Sequence, residues 1–229
     1  MEAIILAGGL GTRLAAKLSG IPKPMAPVGG RPFLEILLTQ LKGNGYTSVV
    51  LSVGHRYQVI QDHFGESFDG MQIGYSIEST PLGTGGAIRK ALALATEGTV
   101  LVLNGDTFLQ GDYLAMLQFH AAEAAALTIA ITRQADIARY GGVLVEGRRI
   151  VGFQEKGRSG PGWINAGAYM IQKDTEWPAA LPEKFSFEVD FMMPEIVRVN
   201  PAAYEVEGFF LDIGVPEDLD RAQTELAGF

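Results

Sequence analysis

The sequence contains no cysteine, which excludes disulfides, thiolate metal sites and a cysteine nucleophile. It has no excess of positive charge either: 26 acidic against 18 basic residues give a formal net charge of -8, so no overall positive field would attract a nucleic acid. No segment approaches the roughly 18–20 uninterrupted apolar residues of a membrane span, and the first residues lack the basic region and length of a signal peptide. We therefore expect a cytoplasmic protein without a nucleic-acid or membrane partner.

Apolar residues are abundant, since 47% of the 229 residues are hydrophobic and 9% are aromatic, as in a compact globular protein. In the first half, short apolar runs that predict strands alternate with stretches that carry apolar residues at three- and four-residue spacing, as amphipathic helices do. This alternation predicts an α/β sandwich around a parallel sheet. The strand candidates are residues 3–6, 48–53, 73–77 and 100–103, and the helix candidates are residues 33–42, 57–64 and 84–95.

The second half of the chain is less regular. A helix candidate covers residues 113–123, a strand candidate covers residues 127–132, and Gly-rich, strand-like pieces follow around Val143, Val151 and Tyr169. We expect these pieces to add antiparallel or mixed strands that close one side of a cleft, with helices near residues 187–199 and 216–226 at the end. Because no linker, repeat or low-complexity segment interrupts the chain, we predict a single domain over residues 1–229. The apolar content is compatible with a homodimer but does not demand one.

A glycine-rich segment, ILAGGLGTRL, includes the end of the first strand candidate and so reaches the place where an open parallel sheet leaves its ligand crevice. Gly8, Gly9 and Gly11 can bring backbone N–H groups close to phosphates, and Thr12 and Arg13 add a hydroxyl and a guanidinium fork. A glycine turn with an exposed arginine is the alternative. The spacing fits neither a Walker A loop nor the dinucleotide fingerprint of a Rossmann oxidoreductase, so we expect no hydride transfer.

A lysine between two prolines follows ten residues after the arginine. In IPKPMAPV, Pro22 and Pro24 fix their own φ angles and favour an extended conformation in the residues before them. Lys23 would therefore lie on a stiff, non-helical segment that gives its side chain a defined direction. Alone, this pattern favours a surface lysine in a polyproline-like turn. Combined with the glycine loop and its arginine, it indicates a site for phosphate groups.

Two aspartates come at the ends of apolar runs that are far apart in the sequence, Asp106 after a strand candidate and Asp212 after residues 208–211. Two carboxylates that the fold brings together can hold Mg²⁺ and leave its other positions to phosphate oxygens and water. Each aspartate could instead cap the segment that follows it. We interpret as surface or structural residues the three histidines, which lie outside every motif: His55, His63 and His120.

A second glycine motif, PLGTGGAI, begins at Pro81 and opens a helix candidate. Gly83, Gly85 and Gly86 would let a flat nucleobase approach the backbone closely. A loop that only needs flexible dihedral angles would show the same pattern. The motif is therefore a candidate base-binding loop, and its glycines are explained either by close approach of a base or by a need for flexible dihedral angles.

These motifs together resemble the signature of the sugar 1-phosphate nucleotidyltransferases. The resemblance starts with ILAGGLGTRLAAKLSGIPKPMAPV and continues in the family's order with PLGTGGAI at residues 81–88, LNGDTF at 103–108, EK at 155–156, INAGAY at 164–169 and LDIGVPED at 211–218. Within the family, RYGGV, EKFSFEVDF and the short C-terminus are most similar to the D-glycero-D-manno-heptose 1-phosphate guanylyltransferases. The resemblance implies a Rossmann-like three-layer sandwich with a mixed, mainly parallel sheet.

The resemblance also implies the reaction, in which the sugar phosphate oxygen attacks the α-phosphorus of a nucleoside triphosphate and pyrophosphate leaves. It implies GTP and heptose 1-phosphate as the substrates, for bacterial surface glycan precursors. A uridylyl- or cytidylyltransferase for another sugar 1-phosphate, or a non-catalytic sugar-nucleotide-binding subunit, stays open. Arg13 and Lys23 would be catalytic because they offset charge on the triphosphate, and Asp106 and Asp212 would bind Mg²⁺.

The same resemblance assigns binding residues motif by motif. Glu78 would accept hydrogen bonds from a guanine edge, Lys156 would offset the charge of the sugar phosphate, and Asn165 offers a donor and an acceptor to sugar hydroxyls. The residues assigned to the nucleotide are Leu6, Ala7, Gly8, Gly9, Gly11, Thr12, Arg13, Lys23, Glu78, Pro81, Gly83, Thr84, Asn104, Gly105 and Asp106. The residues assigned to the sugar phosphate are Gly142, Glu155, Lys156, Asn165 and Asp212.

Overall fold

A computed structural model of the chain describes residues 1–9, 14, 18 and 20–229. The strands within these residues are β1 (Glu2–Leu6), β2 (Pro27–Val28), β3 (Arg31–Pro32), β4 (Ser48–Val53), β5 (Ser67–Phe68), β6 (Met71–Ile77), β7 (Thr99–Asn104), β8 (Thr107–Leu109), β9 (Leu127–Gln134), β10 (Gly142–Glu146), β11 (Arg149–Gln154), β12 (Gly162–Gln172), β13 (Ala202–Glu205) and β14 (Phe210–Asp212).

Helices cover and connect these strands. The α-helices are α1 (Phe33–Gly43), α2 (Tyr57–Phe64), α3 (Gly83–Leu92), α4 (Tyr113–Ala122), α5 (Ile196–Val199) and α6 (Pro216–Glu225), with a 3₁₀ turn at Lys23–Met25 and a π-helix at Phe187–Met192. Among the described residues, no helix combines the length and apolar character needed to cross a membrane.

Ten strands form one mixed sheet in the order β10-β11-β13-β9-β12-β7-β1-β4-β6-β5. Strands β7, β1, β4 and β6 run parallel to one another, as the alternation of apolar runs and helical stretches predicts. Strand β12 pairs antiparallel with both β7 and β9, so the second half of the chain adds mixed strands. The two small sheets, β2-β3 and β8-β14, lie outside the large one.

The core lies on both faces of this sheet. Ala3 and Ile5 of β1 belong to a buried cluster that includes Phe33 of α1, whereas Ile4 between them belongs to a second cluster with Ile88 of α3. Successive residues of a strand point to opposite faces, so a strand buried on both faces carries an unbroken apolar run. These two clusters confirm the three-layer α/β sandwich.

Strand β1 also marks the place where the order of the parallel strands reverses. From β1 the chain goes to β4 and β6 on one side, and it then returns to form β7 on the other side. In open α/β sheets such a reversal leaves a crevice beyond the carboxyl ends of the strands, where ligands bind.

The helices predicted near residues 187–199 are split in the structure. A π-helix covers Phe187–Met192, turn residues follow, and α5 covers only Ile196–Val199. Pro194 lies in the turn, and a proline cannot donate the N–H that a continuous helix requires. The remaining predicted helices and strands are present with shifts of a few residues at their ends.

His120 has a structural role, in agreement with its interpretation from the sequence. Its ring is buried, with Nδ1 at 2.8 Å from the Thr128 hydroxyl and Nε2 at 3.0 Å from the Gln172 amide. Burial lowers the pKa of His120, because the charged imidazolium is disfavoured away from water. This histidine therefore joins α4 to β9 and β12.

Candidate active site

A cleft opens where β1 and β7 end side by side. Leu6, the last residue of β1, is paired with Asn104, the last residue of β7, and both line the cleft. Its volume is about 380 Å³, which lies in the range of small-molecule sites. The crevice predicted from the strand order is therefore present and large enough for a ligand.

Glu78 forms one wall of the cleft together with the first glycine loop. Its carboxylate accepts hydrogen bonds from the backbone N–H of Leu82 at 2.9 Å and from the Ser52 hydroxyl at 3.3 Å. A Cβ atom at Gly8 would lie 2.7 Å from Glu78 Oε1, closer than a real side chain allows. Glycine at position 8 thus lets the loop pack against a fixed, half-buried carboxylate.

The second glycine motif holds a distant segment of the chain. The backbone N–H of Gly85 donates to the Phe185 carbonyl at 2.9 Å, and the N–H of Phe185 donates to the Leu82 carbonyl at 2.9 Å. A Cβ at Gly85 would lie 2.2 Å from the Phe185 ring. The Thr84 hydroxyl in turn accepts from the N–H of Phe187 at 2.9 Å. Gly85 is thus required for packing, and its N–H is already used within the protein.

The two aspartates predicted as a pair are neighbours in the fold. The small sheet of β8 and β14 pairs Asp212 with Thr107, the residue after Asp106, and the N–H of Ile213 donates to the Asp106 carbonyl at 2.9 Å. Segments that are far apart in the sequence are joined here by backbone hydrogen bonds. The two aspartates therefore lie side by side, and Asp106 lines the cleft.

Positive side chains balance these carboxylates. Lys23 Nζ lies 2.6 Å from Asp106 Oδ2, which places the proline-held lysine at the cleft. Arg139 Nη2 lies 3.1 Å from Asp212 Oδ2. Burial raises the pKa of Asp212, and the negative charge of Asp106 raises it further, whereas Lys23 and Arg139 lower it. The Asp106 carboxylate is thus close enough to Asp212 for its charge to affect the ionisation of Asp212.

Two of the residues predicted for the sugar phosphate, Lys156 and Asn165, lie near a common neighbour, Glu188. Asn165 donates from Nδ2 to the Tyr169 hydroxyl at 3.0 Å and accepts from the N–H of Gly167 at 3.0 Å. Burial raises the pKa of Glu188, and the charge of Lys156 and a hydrogen bond with Asn165 lower it. Glu188, which comes from a later segment of the chain, therefore lies near both Lys156 and Asn165.

The geometry agrees with a comparison against protein-family models. The nucleotidyl transferase model matches residues 2–228, and this range includes the cleft, the carboxylate pair and all the motifs. The chain belongs to the nucleotidyl transferase family.

Two curated relatives of this nucleotidyl transferase carry a more specific name, D-glycero-alpha-D-manno-heptose 1-phosphate guanylyltransferase. The protein from Aneurinibacillus thermoaerophilus is 42% identical over 226 residues, covering 99% of this chain and 98% of the relative. The protein from Campylobacter jejuni subsp. jejuni serotype O:2 is 43% identical over 219 residues, covering 95% of this chain and 96% of the relative. Both similarities extend over nearly the whole chain.

A solved structure supports the same relationship. The crystal structure of HddC from Yersinia pseudotuberculosis complexed with GMP-PN superposes on this nucleotidyl transferase with a TM-score of 0.87 and 34% identity, covering 98% of this chain and 99% of HddC. The fold and the family membership predicted from the motifs are thus confirmed.

Most of the residues predicted to bind the nucleotide line the cleft of this nucleotidyl transferase. Ala7 is buried behind it, and its N–H donates to the Ser52 carbonyl at 2.7 Å. Gly11, Thr12 and Arg13 lie outside the described residues. The predicted residues that line the cleft are Leu6, Gly8, Gly9, Glu78, Pro81, Gly83, Thr84, Asn104, Gly105 and Asp106.

Two further residues line the cleft without a role predicted from the sequence, Ala87 and Lys184. Lys184 is exposed and lies one residue before Phe185, whose backbone is bonded to the second glycine motif. Lys184 belongs to EKFSFEVDF. This motif contributed to the family resemblance, but none of its residues was predicted to belong to the site. Glu188 of the same motif was missed in the same way.

The other predicted sugar-phosphate residues are less enclosed. Glu155 and Lys156 are exposed after the end of β11. Gly142 begins β10, and a Cβ at the preceding Gly141 would lie 3.7 Å from Lys156 Cγ. The segment that leads into Gly142 thus lies close to Lys156.

Proposed function

We propose that this protein transfers GMP from GTP to D-glycero-alpha-D-manno-heptose 1-phosphate and releases pyrophosphate. The observation that carries the proposal is the carboxylate pair of Asp106 and Asp212, with Lys23 bonded to it, in a chain 42% and 43% identical to two heptose 1-phosphate guanylyltransferases. A uridylyl- or cytidylyltransferase is not favoured, since both relatives are named as guanylyltransferases. Because GTP is a cytoplasmic metabolite, we also propose a cytoplasmic location.

The reaction needs charge neutralisation and alignment more than it needs an acid or a base. An oxygen of the sugar phosphate attacks the α-phosphorus of GTP, a new P–O–P linkage forms, and the bond to the β-phosphate breaks with its electron pair leaving on pyrophosphate. Because both reactants are anions, positioned cations and backbone donors supply the main catalytic effect. Lys23, held by prolines and by Asp106, is suited to offset charge on the triphosphate. Arg13 has the same proposed role.

The carboxylate pair fits a divalent cation of the Mg²⁺ class. Asp106 and Asp212 present oxygen ligands, which Mg²⁺ prefers, and Mg²⁺ commonly binds through one or two carboxylates plus substrate phosphates. Burial raises the pKa of Asp212 and the negative charge of Asp106 raises it further, and a cation bound between the two aspartates would stabilise both charges. When bound, Mg²⁺ would supply positive charge to the phosphate oxygens. The assignment of the two aspartates as its ligands is part of the proposal.

The guanine base is proposed to lie between Glu78 and the second glycine motif. A carboxylate accepts hydrogen bonds only, which suits the N–H groups on the edge of guanine. The bonds from Leu82 and Ser52 hold Glu78 in place and leave lone pairs for a ligand. We propose that Pro81, Gly83 and Thr84 contact the base or the ribose.

A substrate grid tests this proposal. Pyrophosphate release is measured with Mg²⁺ for GTP, UTP, CTP, dTTP and ATP, each against heptose, mannose, glucose and N-acetylhexosamine 1-phosphates. We expect one strong combination, GTP with the heptose 1-phosphate. A strong combination elsewhere would keep the reaction and reject the specificity, and a blank grid from folded protein would favour a non-catalytic binding subunit.

Lys156 provides a second prediction. Replacing Lys156 by alanine is expected to raise KM for the sugar 1-phosphate by about 10–100-fold, the effect of losing a hydrogen bond to a charged group of about 1.5–3 kcal/mol. KM for GTP should change little, because Lys156 lies on the sugar side of the cleft. Steady-state kinetics with each substrate varied in turn give both values.

A matched control is Lys42→Ala, which removes an exposed lysine at the end of α1, where it pairs with Asp69. This control should leave both KM values unchanged. Equal increases of the two KM values in Lys156→Ala would contradict the assignment of Lys156 to the sugar phosphate.

A further inference from the structure

Arg139 bonds to two different aspartates at the edge of the active site. One guanidinium nitrogen, Nη2, donates to Asp212 Oδ2 at 3.1 Å and to the Asp212 carbonyl at 3.2 Å. The other, Nη1, donates to Asp218 Oδ2. The planar guanidinium fork of arginine can bridge groups in this fixed geometry, which a lysine cannot reproduce. Arg139 thus connects the candidate metal ligand Asp212 to α6.

Both sides of this bridge are fixed in place. Asp218 is buried, and its Oδ1 accepts a further bond from Arg221 at 2.9 Å. The Arg139 guanidinium lies 5.1 Å from the centre of the Tyr140 ring, and Tyr140 contacts Phe210 of β14 edge-on at 5.6 Å. The position of the guanidinium is therefore determined by its surroundings and not by Asp212 alone.

The carboxylate of Asp212 is held through both of its oxygens. Oδ1 accepts from the N–H of Gly214 at 2.7 Å, and Oδ2 accepts from Arg139. Because both donors are fixed in position, the carboxylate can adopt only one orientation. Each of its oxygens keeps a lone pair for another ligand. Asp106 is held by side chains instead: its Oδ2 accepts from Lys23 Nζ at 2.6 Å and its Oδ1 accepts from the Thr107 hydroxyl at 3.2 Å.

We propose that Arg139 is a positioning residue that orients the Asp212 carboxylate for the divalent cation. This inference rests on the proposed function, since it takes Asp212 as a metal ligand. The loop of Arg139 also carries Gly141, which packs against Lys156, and leads directly into Gly142. The same loop thus orients the metal ligand and forms the wall of the sugar-phosphate side.

The direction in which the affinity for a divalent cation changes when Arg139 is removed distinguishes an orienting role from a purely electrostatic one. If Arg139 acted only through its positive charge, its removal would strengthen binding of a divalent cation, because a repulsive charge near the site is lost. If Arg139 orients Asp212, its removal weakens binding even though the charge is lost. Arg139→Lys keeps the positive charge but loses the guanidinium contacts that join Asp212 to Asp218. This variant therefore gives an independent test of the two explanations.

The experiment is a titration with Mn²⁺ in the presence of GTP and without sugar phosphate, followed by water-proton relaxation. Mn²⁺ on the slowly tumbling protein gives a relaxation enhancement that Mn²⁺ on free GTP does not. Arg139→Ala and Arg139→Lys are both expected to weaken Mn²⁺ binding by about 10–100-fold, as removal of outer partners of metal ligands does. Thermal unfolding of each variant shows that it is folded.

Arg221→Ala is the matched control. It removes the other arginine bonded to Asp218 and leaves the contacts of Asp212 unchanged, so we expect Mn²⁺ binding close to that of the original protein. Tighter or unchanged binding in Arg139→Ala, or unchanged binding in folded Arg139→Lys, would overturn the proposal. An original protein that shows no Mn²⁺ enhancement with GTP would overturn the metal site itself, an outcome distinct from a failure confined to the Arg139 variants.

Discussion

Asp106→Asn is expected to lower kcat for pyrophosphate release by at least about 10²–10³-fold, the usual effect of removing one preorganised electrostatic group from an active site. The substitution keeps the size of the side chain but removes its charge. Asp106 then loses its ion pair with Lys23 Nζ at 2.6 Å and half of the negative charge of the carboxylate pair. Steady-state pyrophosphate release at saturating substrates measures the loss.

The fold should survive this change. The Asp106 side chain is 39% exposed, and the bond that joins β8 to β14 at this point uses its backbone carbonyl. Asp174→Asn is the matched control, since Asp174 is exposed and follows β12 at the end of the sheet opposite the cleft. Near-normal Mg²⁺-dependent activity in a double Asp106→Asn, Asp212→Asn variant would show that the two-carboxylate assignment is wrong.

Phe185→Ala is expected to lower the free energy of unfolding by about 3–5 kcal/mol, as truncations of buried phenylalanines do. The Phe185 side chain is 2% exposed. Its ring lies 5.6 Å from that of Trp177 and 4.9 Å from the Arg89 guanidinium, and it packs directly on Gly85. Urea unfolding followed by tryptophan fluorescence gives the value.

The same variant should raise KM for GTP, because Phe185 holds Lys184 and the second glycine motif at the cleft. Val197→Ala is the control: Val197 is 90% exposed, and surface substitutions typically change stability by less than about 0.5 kcal/mol. A Phe185→Ala variant as stable as Val197→Ala would contradict the packing of residue 185 against Gly85.

Strong periodicity made much of the fold predictable. The strand at residues 48–53 and the helix at residues 57–64 agree with the structure to the residue, because burial of one or both faces leaves a clear apolar pattern. Strands β8 and β14 are three residues long each, too short to show a pattern. They were not predicted, although they bring Asp106 and Asp212 together.

The site was predictable where a motif carries a chemical group and not where contacts join distant segments. Asp106 lines the cleft and pairs with Lys23, in agreement with the placement expected from their motifs, and their roles stay predictions. Nothing in the sequence indicates that Arg139 bridges Asp212 and Asp218, since 73 and 79 positions separate the partners. Gly85 illustrates a third case: the sequence offered base binding or flexible dihedral angles as reasons for this glycine, and the structure shows another, close packing on Phe185.

Guanylyl transfer is tested most directly by ³¹P NMR of one reaction, GTP with D-glycero-alpha-D-manno-heptose 1-phosphate and Mg²⁺. We predict that the GTP signals are replaced by those of a diphosphate ester and an equal amount of pyrophosphate, and that omitting the sugar phosphate or adding EDTA stops the conversion. Pyrophosphate without the diphosphate ester, or unchanged substrates in the presence of folded protein, would contradict guanylyl transfer to this sugar phosphate.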